Sequence, residues 1–183
     1  MSKTLILIFH PDLTTSKANA ALIAEASKLE EVEIVDVQSL YPQGMDIHAD
    51  GEREAARLLS ADRIVLQFPL HWYSMPAVML QWQAAVLTRM FYLCYPQEGS
   101  KLEGKPLFIA ATAGNVEESY RRGGRNLFSI ESLLAPLQAT AHRCGLAWNT
   151  PFVVYTADKL EADVLQAKGE EYAQALRGWM QSE

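Results

Sequence analysis

Residues 63–76 read RIVLQFPLHWYSMP. Arg63 to Phe68 is a mostly apolar run that stops at Pro69, the pattern of a strand covered on both faces. Pro76 then opens a helix that runs to about Met90, because the missing N–H of proline costs little in a first turn. Between strand and helix stand His71, Trp72 and Tyr73, a histidine and two aromatics just past a buried strand. The same alternation extends in both directions. Leu5–Phe9 is a continuous apolar run followed by a helix over Ser16–Leu29, which Ser16 or Thr15 can cap. Val32–Val37 alternates with Glu33 and Asp36 as a strand nearer an edge, and Asp50–Ser60 follows as a charged amphipathic helix. Pro106–Thr112, a helix over Ser132–Arg143 with Pro136 near its start or at a kink, a strand at Phe152–Thr156 and a helix over Leu160–Met180 complete the chain. Five strands alternating with five helices call for a parallel sheet with helices on both faces. Right-handed crossovers reduce the topology to a doubly wound three-layer sandwich. The longest irregular stretches are 39–49, 93–105 and 114–128.

The 183 residues fit a single domain over 1–183, and 49% hydrophobic against 21% charged residues allows a sizeable core. A net charge of −6 argues against a nucleic-acid binder held by phosphate contacts, although Arg121, Arg122 and Arg125 form one local basic cluster. Cys94 and Cys144 have no close spacing, which excludes a cysteine zinc ribbon, a CxxC redox pair and a disulfide framework. Reduced thiols in a cytoplasmic protein are expected. No apolar run approaches the roughly 20 residues of a membrane span, and MSKTLILIFHPD reads as a strand, not a signal peptide.

Open parallel sheets bind ligands beyond the carboxyl ends of their strands. Three segments leave those ends. The first, His10 to Asn19, runs into a helix N-terminus and suits an anion, or is ordinary capping by Ser16. It lacks GxGxxG and GxxxxGK[ST]. The second, Pro69 to Pro76, offers Trp72 and Tyr73 to a flat aromatic ligand, or covers the sheet end or a subunit contact. The third, Thr112-Ala113-Gly114-Asn115, permits close backbone approach at Gly114, or is a plain turn. No GxSxG elbow is present.

Together these segments resemble the flavodoxin-like NAD(P)H:quinone oxidoreductases, and most of all the ancillary flavoproteins of bacterial glutathione-regulated potassium-efflux systems. The resemblance covers nearly the whole chain. It rests on His10-Pro11 with Ser16…Ala18-Asn19, Tyr41-Pro42 with Asp46-Ile47, and above all the block Phe68–Ala77 with Leu80…Trp82. Lys101–Lys105, Thr112…Gly114 and Pro136–Thr140 with Cys144-Gly145-Leu146…Trp148 continue it.

The resemblance implies a five-stranded parallel sheet in the order 2-1-3-4-5. It implies a flavin, FMN first and FAD as the alternative, with NAD(P)H as co-substrate and a quinone or related electrophile as acceptor in a ping-pong cycle. His10, Thr15, Ser16, Lys17, Ala18 and Asn19 would hold the flavin phosphate. Pro69, Leu70, His71, Trp72 and Tyr73 would line the ring, with the N–H groups of Leu70, Trp72 and Tyr73 directed at its N5 and O4 edge. Thr112, Ala113, Gly114 and Asn115 would meet the N1/O2 side, and Tyr120 would act as the catalytic residue there, unless its loop is a lid and it only packs. The resembled reductases carry a histidine a few residues further on; Arg121–Asn126 contains none. The alternative function is activation of a glutathione-gated potassium/proton antiporter at the inner membrane face, with Arg121, Arg122 and Arg125 as a contact. A homodimer is expected through the aromatic-rich helix Met79–Tyr95. No metal site is expected: Asp46, His48 and Asp50 fall in a connecting loop. The Glu52–Arg57 stretch reads as a solvated helix face.

Overall fold

The computed structural model describes residues 2–182. Its sheet is built around β1 (Thr4–Ile8), which is buried along its whole length. β2 (Val32–Asp36) lies on one side of it and β3 (Arg63–Pro69) on the other, and β4 (Pro106–Thr112) follows β3, all parallel. Side chains of β1 alternate between faces. Leu5 and Leu7, with Phe9 just beyond, pack into one apolar layer, and Ile6 and Ile8 into the other. Two covered faces explain why the strand is apolar at every position.

The expectation of five strands is corrected to six. The outermost position holds two short strands, β5 (Ala147–Trp148) and β6 (Phe152–Val154), both parallel to β4. Ala147 and Asn149 donate their N–H groups to Lys105 and Leu107 carbonyls, each at 3.0 Å. The next donor in that series would be residue 151, a proline with no N–H, and the Asn149 carboxamide turns onto the Thr150 N–H at 2.7 Å. The ladder therefore breaks and restarts. The order β2-β1-β3-β4 with β5 and β6 at the far edge otherwise matches the expected 2-1-3-4-5.

One face of the sheet carries α1 (Lys17–Ala26) and α7 (Ala162–Gln181). A Cβ on Gly169 of α7 would meet the Ala21 carbonyl oxygen at 2.8 Å, so glycine lets the two helices touch. The other face carries α3 (Ala49–Ser60), α4 (Ala77–Trp82) and α6 (Ile130–Arg143). A single turn, α2 (Val37–Leu40), follows β2, and Asp36 caps it. After Trp82 the helix widens into π-helical turns at Gln83–Leu87, Arg89–Leu93 and Tyr95–Gly99, then closes in α5 (Ser100–Leu102). The stretch 93–105, expected to be irregular, is thus helical as far as Leu102. Arg89, in the preceding turn, grips the Glu98 carboxylate of this stretch at 2.9–3.2 Å.

The charged face of α3 is not wholly solvated. Glu54 is fully buried and accepts from the Tyr41 hydroxyl (2.9 Å), Trp82 Nε1 (3.1 Å) and Arg57 Nε (3.0 Å). Burial and the Glu54 carboxylate push the Tyr41 hydroxyl up to about 12. Asp46 caps α3 by accepting the N–H groups of His48 (2.9 Å) and Ala49 (2.7 Å), which hold its carboxyl below the usual range. No described helix is long and apolar enough to cross a membrane.

Candidate active site

Strand order reverses between β1 and β3, and a cleft of about 340 Å³ opens there at the carboxyl ends. His10, Thr15 to Asn19, Pro69 to His71, Thr112 to Gly114, Ala157 and Asp158 wall it. Of the expected site residues, Trp72, Tyr73, Asn115 and Tyr120 are not among its walls. Ala157 and Asp158 were not expected.

The first wall is a helix start with its bonds already arranged. Asp12 accepts the Thr14 N–H (3.1 Å) and hydroxyl (2.6 Å) through Oδ1, tightening a 3₁₀ turn at Leu13–Thr15. Ser16 caps α1 by accepting the Asn19 N–H at 3.3 Å. The N–H groups of Lys17 and Ala18 have no partner among the described residues, at the positive end of the helix. Beside them His10 accepts the Asp12 N–H on Nδ1 at 3.1 Å, which assigns the proton of the neutral ring to Nε2. Burial, above all, lowers the His10 pKa from 6.5 and keeps the ring neutral at pH 7. The His71 ring stands edge-on to it, 6.5 Å between centroids. The Thr15 hydroxyl donates to the Asp12 carbonyl at 2.9 Å, and the unpaired N–H groups with an imidazole N–H beside them suit a phosphate.

Beneath this wall lies a buried amide network. Gln67, wholly buried on β3, donates Nε2 to the backbone oxygen and Oδ1 of Asn19, both at 3.2 Å. Asn19 donates Nδ2 to Ser16 Oγ (3.2 Å) and to Thr112 Oγ1 (3.3 Å). Helix start, β3 and the end of β4 are thereby locked in one register. Sequence reasoning missed Gln67; its signal was one amide inside an otherwise apolar strand.

The second wall ends in a tight hairpin. His71 and Ser74 exchange both N–H···O bonds at 2.9 Å. The central residues Trp72 and Tyr73 have φ of 47° and 65°. Positive φ at both places makes a type I′ turn, which ordinarily takes Asn-Gly. Each bulky residue held there costs roughly 1–2 kcal/mol. Trp72 is 94% and Tyr73 50% exposed, and neither N–H has a partner among the described residues. The expected role of the Leu70 N–H is corrected: it donates to the Thr112 carbonyl at 2.8 Å and joins the second wall to the third.

In the third wall Ala113 donates to Val154 at 2.8 Å, while Gly114 and Asn115 keep free N–H groups among the described residues. The Asn115 side chain turns away to Asn126 Oδ1 at 3.0 Å. Asn115 and Ala113 carbonyls accept from Thr156 and Ala157, each at 3.0 Å, which brings Asp158 within 3.7 Å of where a Gly114 Cβ would stand. Tyr120 is half-buried against Tyr155, with 5.7 Å between ring centroids. Burial, then Glu117 and Glu131, raise the Tyr155 hydroxyl pKa, so it stays protonated. The described residues contain no cluster of histidine, cysteine and carboxylate side chains suited to a metal. The Cys144 thiol is buried and pushed up to about 11, which leaves it inert at neutral pH.

The family described as flavodoxin-like fold matches residues 2–177. The "uncharacterized NAD(P)H oxidoreductase YdeQ" of Bacillus subtilis is 37% identical over 174 residues, 95% of this chain and 86% of that protein. The glutathione-regulated potassium-efflux system ancillary protein KefF of Salmonella typhimurium is 37% identical over 177 residues, 97% of each chain. Among solved structures, an NADPH-quinone reductase from P. pentosaceus superposes with a TM-score of 0.78 at 29% identity, covering 94% of this chain and 96% of that one. General stress protein 14 of Treponema denticola, solved with FMN, shares the fold with a TM-score of 0.85 at 24% identity, covering 96% of this chain and 98% of its own.

Proposed function

The chain belongs to the flavodoxin-like NAD(P)H oxidoreductase family, and on that premise we propose that it holds FMN and reduces quinones or related electrophiles with NAD(P)H. The observation that carries this reading is one cleft whose two sides differ in kind. A helix start with unpaired N–H groups and a neutral imidazole lines one side, and the Pro69–His71 wall opposite runs on into a turn of two aromatics with unengaged N–H groups.

The residues present fit the cofactor. A single phosphate would take the Lys17 and Ala18 N–H groups and His10 Nε2–H, while the Thr15 hydroxyl already donates to the Asp12 carbonyl. One set of donors at the helix start matches the single phosphate of FMN, which is preferred to FAD as the cofactor. Ser16 Oγ and Asn19 act one step back, since both are already bonded to each other. The N–H groups of Trp72 and Tyr73 would meet one edge of the ring, and those of Gly114 and Asn115 the other. When bound, the flavin supplies hydride acceptance from NAD(P)H and hydride donation to the acceptor, a ping-pong exchange at one stacking site. N–H dipoles fixed in advance at the ring edge stabilise the negative charge that reduction brings, with no reorganisation at that moment. Tyr120, steadied by the Tyr155 ring, would offer its hydroxyl to the acceptor oxygen. Losing a hydrogen bond to a charged group costs about 1.5–3 kcal/mol, so Tyr120→Phe is expected to slow turnover on the order of tenfold to a hundredfold with flavin still bound. Equal rates for the two proteins would remove Tyr120 from the mechanism.

Purified protein is expected to be yellow and to oxidise NAD(P)H when given a soluble quinone. A colourless protein that takes up neither FMN nor FAD sinks the proposal.

The likeness to KefF favours a second reading, an ancillary subunit that activates a potassium/proton antiporter from the cytoplasmic face of the inner membrane. Potassium efflux unchanged on deletion of the gene, beside full quinone turnover by the purified protein, rejects it. A homodimer is proposed with either reading. Trp82, at the end of α4, and Met90 and Phe91, in the second π-helical turn, were expected at the interface and are buried in the chain's own core. Leu80, Tyr92, Leu93 and Tyr95 remain exposed on that helix. A monomer at micromolar concentration in sedimentation would reject the dimer.

A further inference from the structure

We propose that Arg121, Arg122 and Arg125 bind the 2′-phosphate of NADPH and make it the preferred reductant over NADH. This rests on the oxidoreductase reading and deepens it by naming the substrate.

The chain has a net charge of −6, yet three guanidinium groups fall within five residues of one loop. All three are exposed, and none has an ion pair or hydrogen-bond partner among the described residues. Three other arginines are matched to carboxylates, Arg53 to Asp50, Arg57 to Glu33 and Glu54, and Arg89 to Glu52 and Glu98, and Arg143 lies over the Phe91 and Tyr92 rings. Glu117 and Glu118 share the loop but do not pair with the cluster, so its charge stays available to a ligand.

The loop is a platform, not a lid. Gly124 donates to Arg121, Asn126 to Ser119 and Leu127 to Gly124, at 2.9–3.0 Å, and these bonds close residues 119–127 on themselves. A Cβ on Gly124 would meet the Ser119 and Glu118 carbonyl oxygens at 2.6 and 2.9 Å, so only glycine lets the loop close this tightly. Asn126 is buried and fastened to Asn115, the neighbour of the cleft residue Gly114. The tilted Tyr120–Tyr155 ring contact pins the loop a second time. The arginines are therefore carried beside the cleft by an element with little freedom.

NADPH differs from NADH by one phosphate monoester on the adenosine ribose, far from the nicotinamide. The planar guanidinium fork matches phosphate oxygens in geometry and charge, and arginine is the usual partner of a 2′-phosphate. A neutral ribose hydroxyl would gain nothing from the same cluster.

The test compares kcat/KM for NADPH and NADH with one soluble quinone. It uses the FMN-loaded wild type and the Arg121→Gln, Arg122→Gln, Arg125→Gln and triple variants. Wild type is expected to favour NADPH by about tenfold to a hundredfold, the worth of a charge-assisted bond to a phosphate. The triple variant brings that ratio close to one, chiefly through KM, and rising salt shrinks it in wild type. Calorimetric titration with adenosine 2′,5′-bisphosphate and adenosine 5′-monophosphate gives a readout independent of turnover: the bisphosphate binds tighter, and the triple variant loses the difference. Wild type that uses both dinucleotides equally, or a triple variant that keeps its preference, overturns the inference. That outcome leaves the oxidoreductase reading intact and shifts the cluster to protein contact. Oxidation of neither dinucleotide, beside arginine-dependent binding of the bisphosphate, would instead overturn the oxidoreductase reading and keep the arginine site.

Discussion

From Asp12 to Asn19 the chain is held by bonds to near neighbours, whereas from His71 to Ser74 it is held against its own preference. In the first loop Asp12, Ser16 and Asn19 engage the local hydroxyl and N–H groups, every φ lies in an ordinary region, and a buried amide on β3 fastens the whole from below. In the second, two hairpin bonds keep Trp72 and Tyr73 in the left-handed region, and both side chains face solvent. The first loop is built to hold fixed charge without moving. The second stores strain and keeps its donors free, which is how strained turns are used at functional sites.

The largest effect comes from breaking the bonded side. Asn19→Leu removes the side-chain partner of Gln67 Nε2, which keeps only the residue 19 carbonyl, breaks the links to Ser16 and Thr112, and sets an apolar side chain among buried polar groups. A cost of about 3 kcal/mol and a fall in Tm on the order of 10 °C are expected, with FMN binding weakened at least tenfold. Stability within about 0.5 kcal/mol of wild type in urea unfolding would show that the network does not hold the wall.

The strained side responds with the opposite sign. Trp72→Asn with Tyr73→Gly installs the pair that a type I′ turn prefers, and little buried surface is lost at so exposed a tip. The double variant is expected to gain about 1–2 kcal/mol in urea unfolding while quinone turnover falls. A less stable double variant would mean that the aromatics pack well enough to offset the backbone cost.

The same contrast explains what was legible in the sequence. β1, β3 and β4 announce themselves because both faces are covered and the apolar run is continuous. β5 escapes because it is two residues long and ends where Pro151 interrupts the ladder. The π-helical turns after Trp82 have no 3.6-residue period to read. Glu54 looks like solvated charge because its partners, Tyr41 and Trp82, lie 13 and 28 residues away. Within the site, His10, Thr15–Asn19, Pro69–His71 and Thr112–Gly114 converge as strand-end reasoning expects. The end of the fifth strand belongs to the same rule, yet Ala157 and Asp158 carry no motif that draws attention to them. The strain at Trp72 and Tyr73 could not be read at all, since it is a property of φ and not of residue type.

The smallest effect sharpens the bonded side through pH. Burial lowers the His10 pKa in the folded protein below 6.5, its ordinary value. The unfolded chain therefore takes up the proton first as pH falls, and acid favours unfolding. Stability from this group is complete above about 6.5, declines as pH drops below it, and levels off once folded His10 is also protonated. Asp12 and Asp36 oppose the shift while His71 reinforces it. His10→Asn keeps an acceptor for the Asp12 N–H but cannot titrate. The unfolding free energy of wild type is expected to fall more steeply than that of the variant between pH 7 and pH 5, measured in urea at matched ionic strength. An anion beside the ring favours the protonated form, so saturating FMN flattens the wild-type slope toward that of the variant. Parallel slopes without FMN would show that His10 is as well solvated in the fold as in the unfolded chain. A slope that ignores FMN would show that the phosphate does not sit against this imidazole.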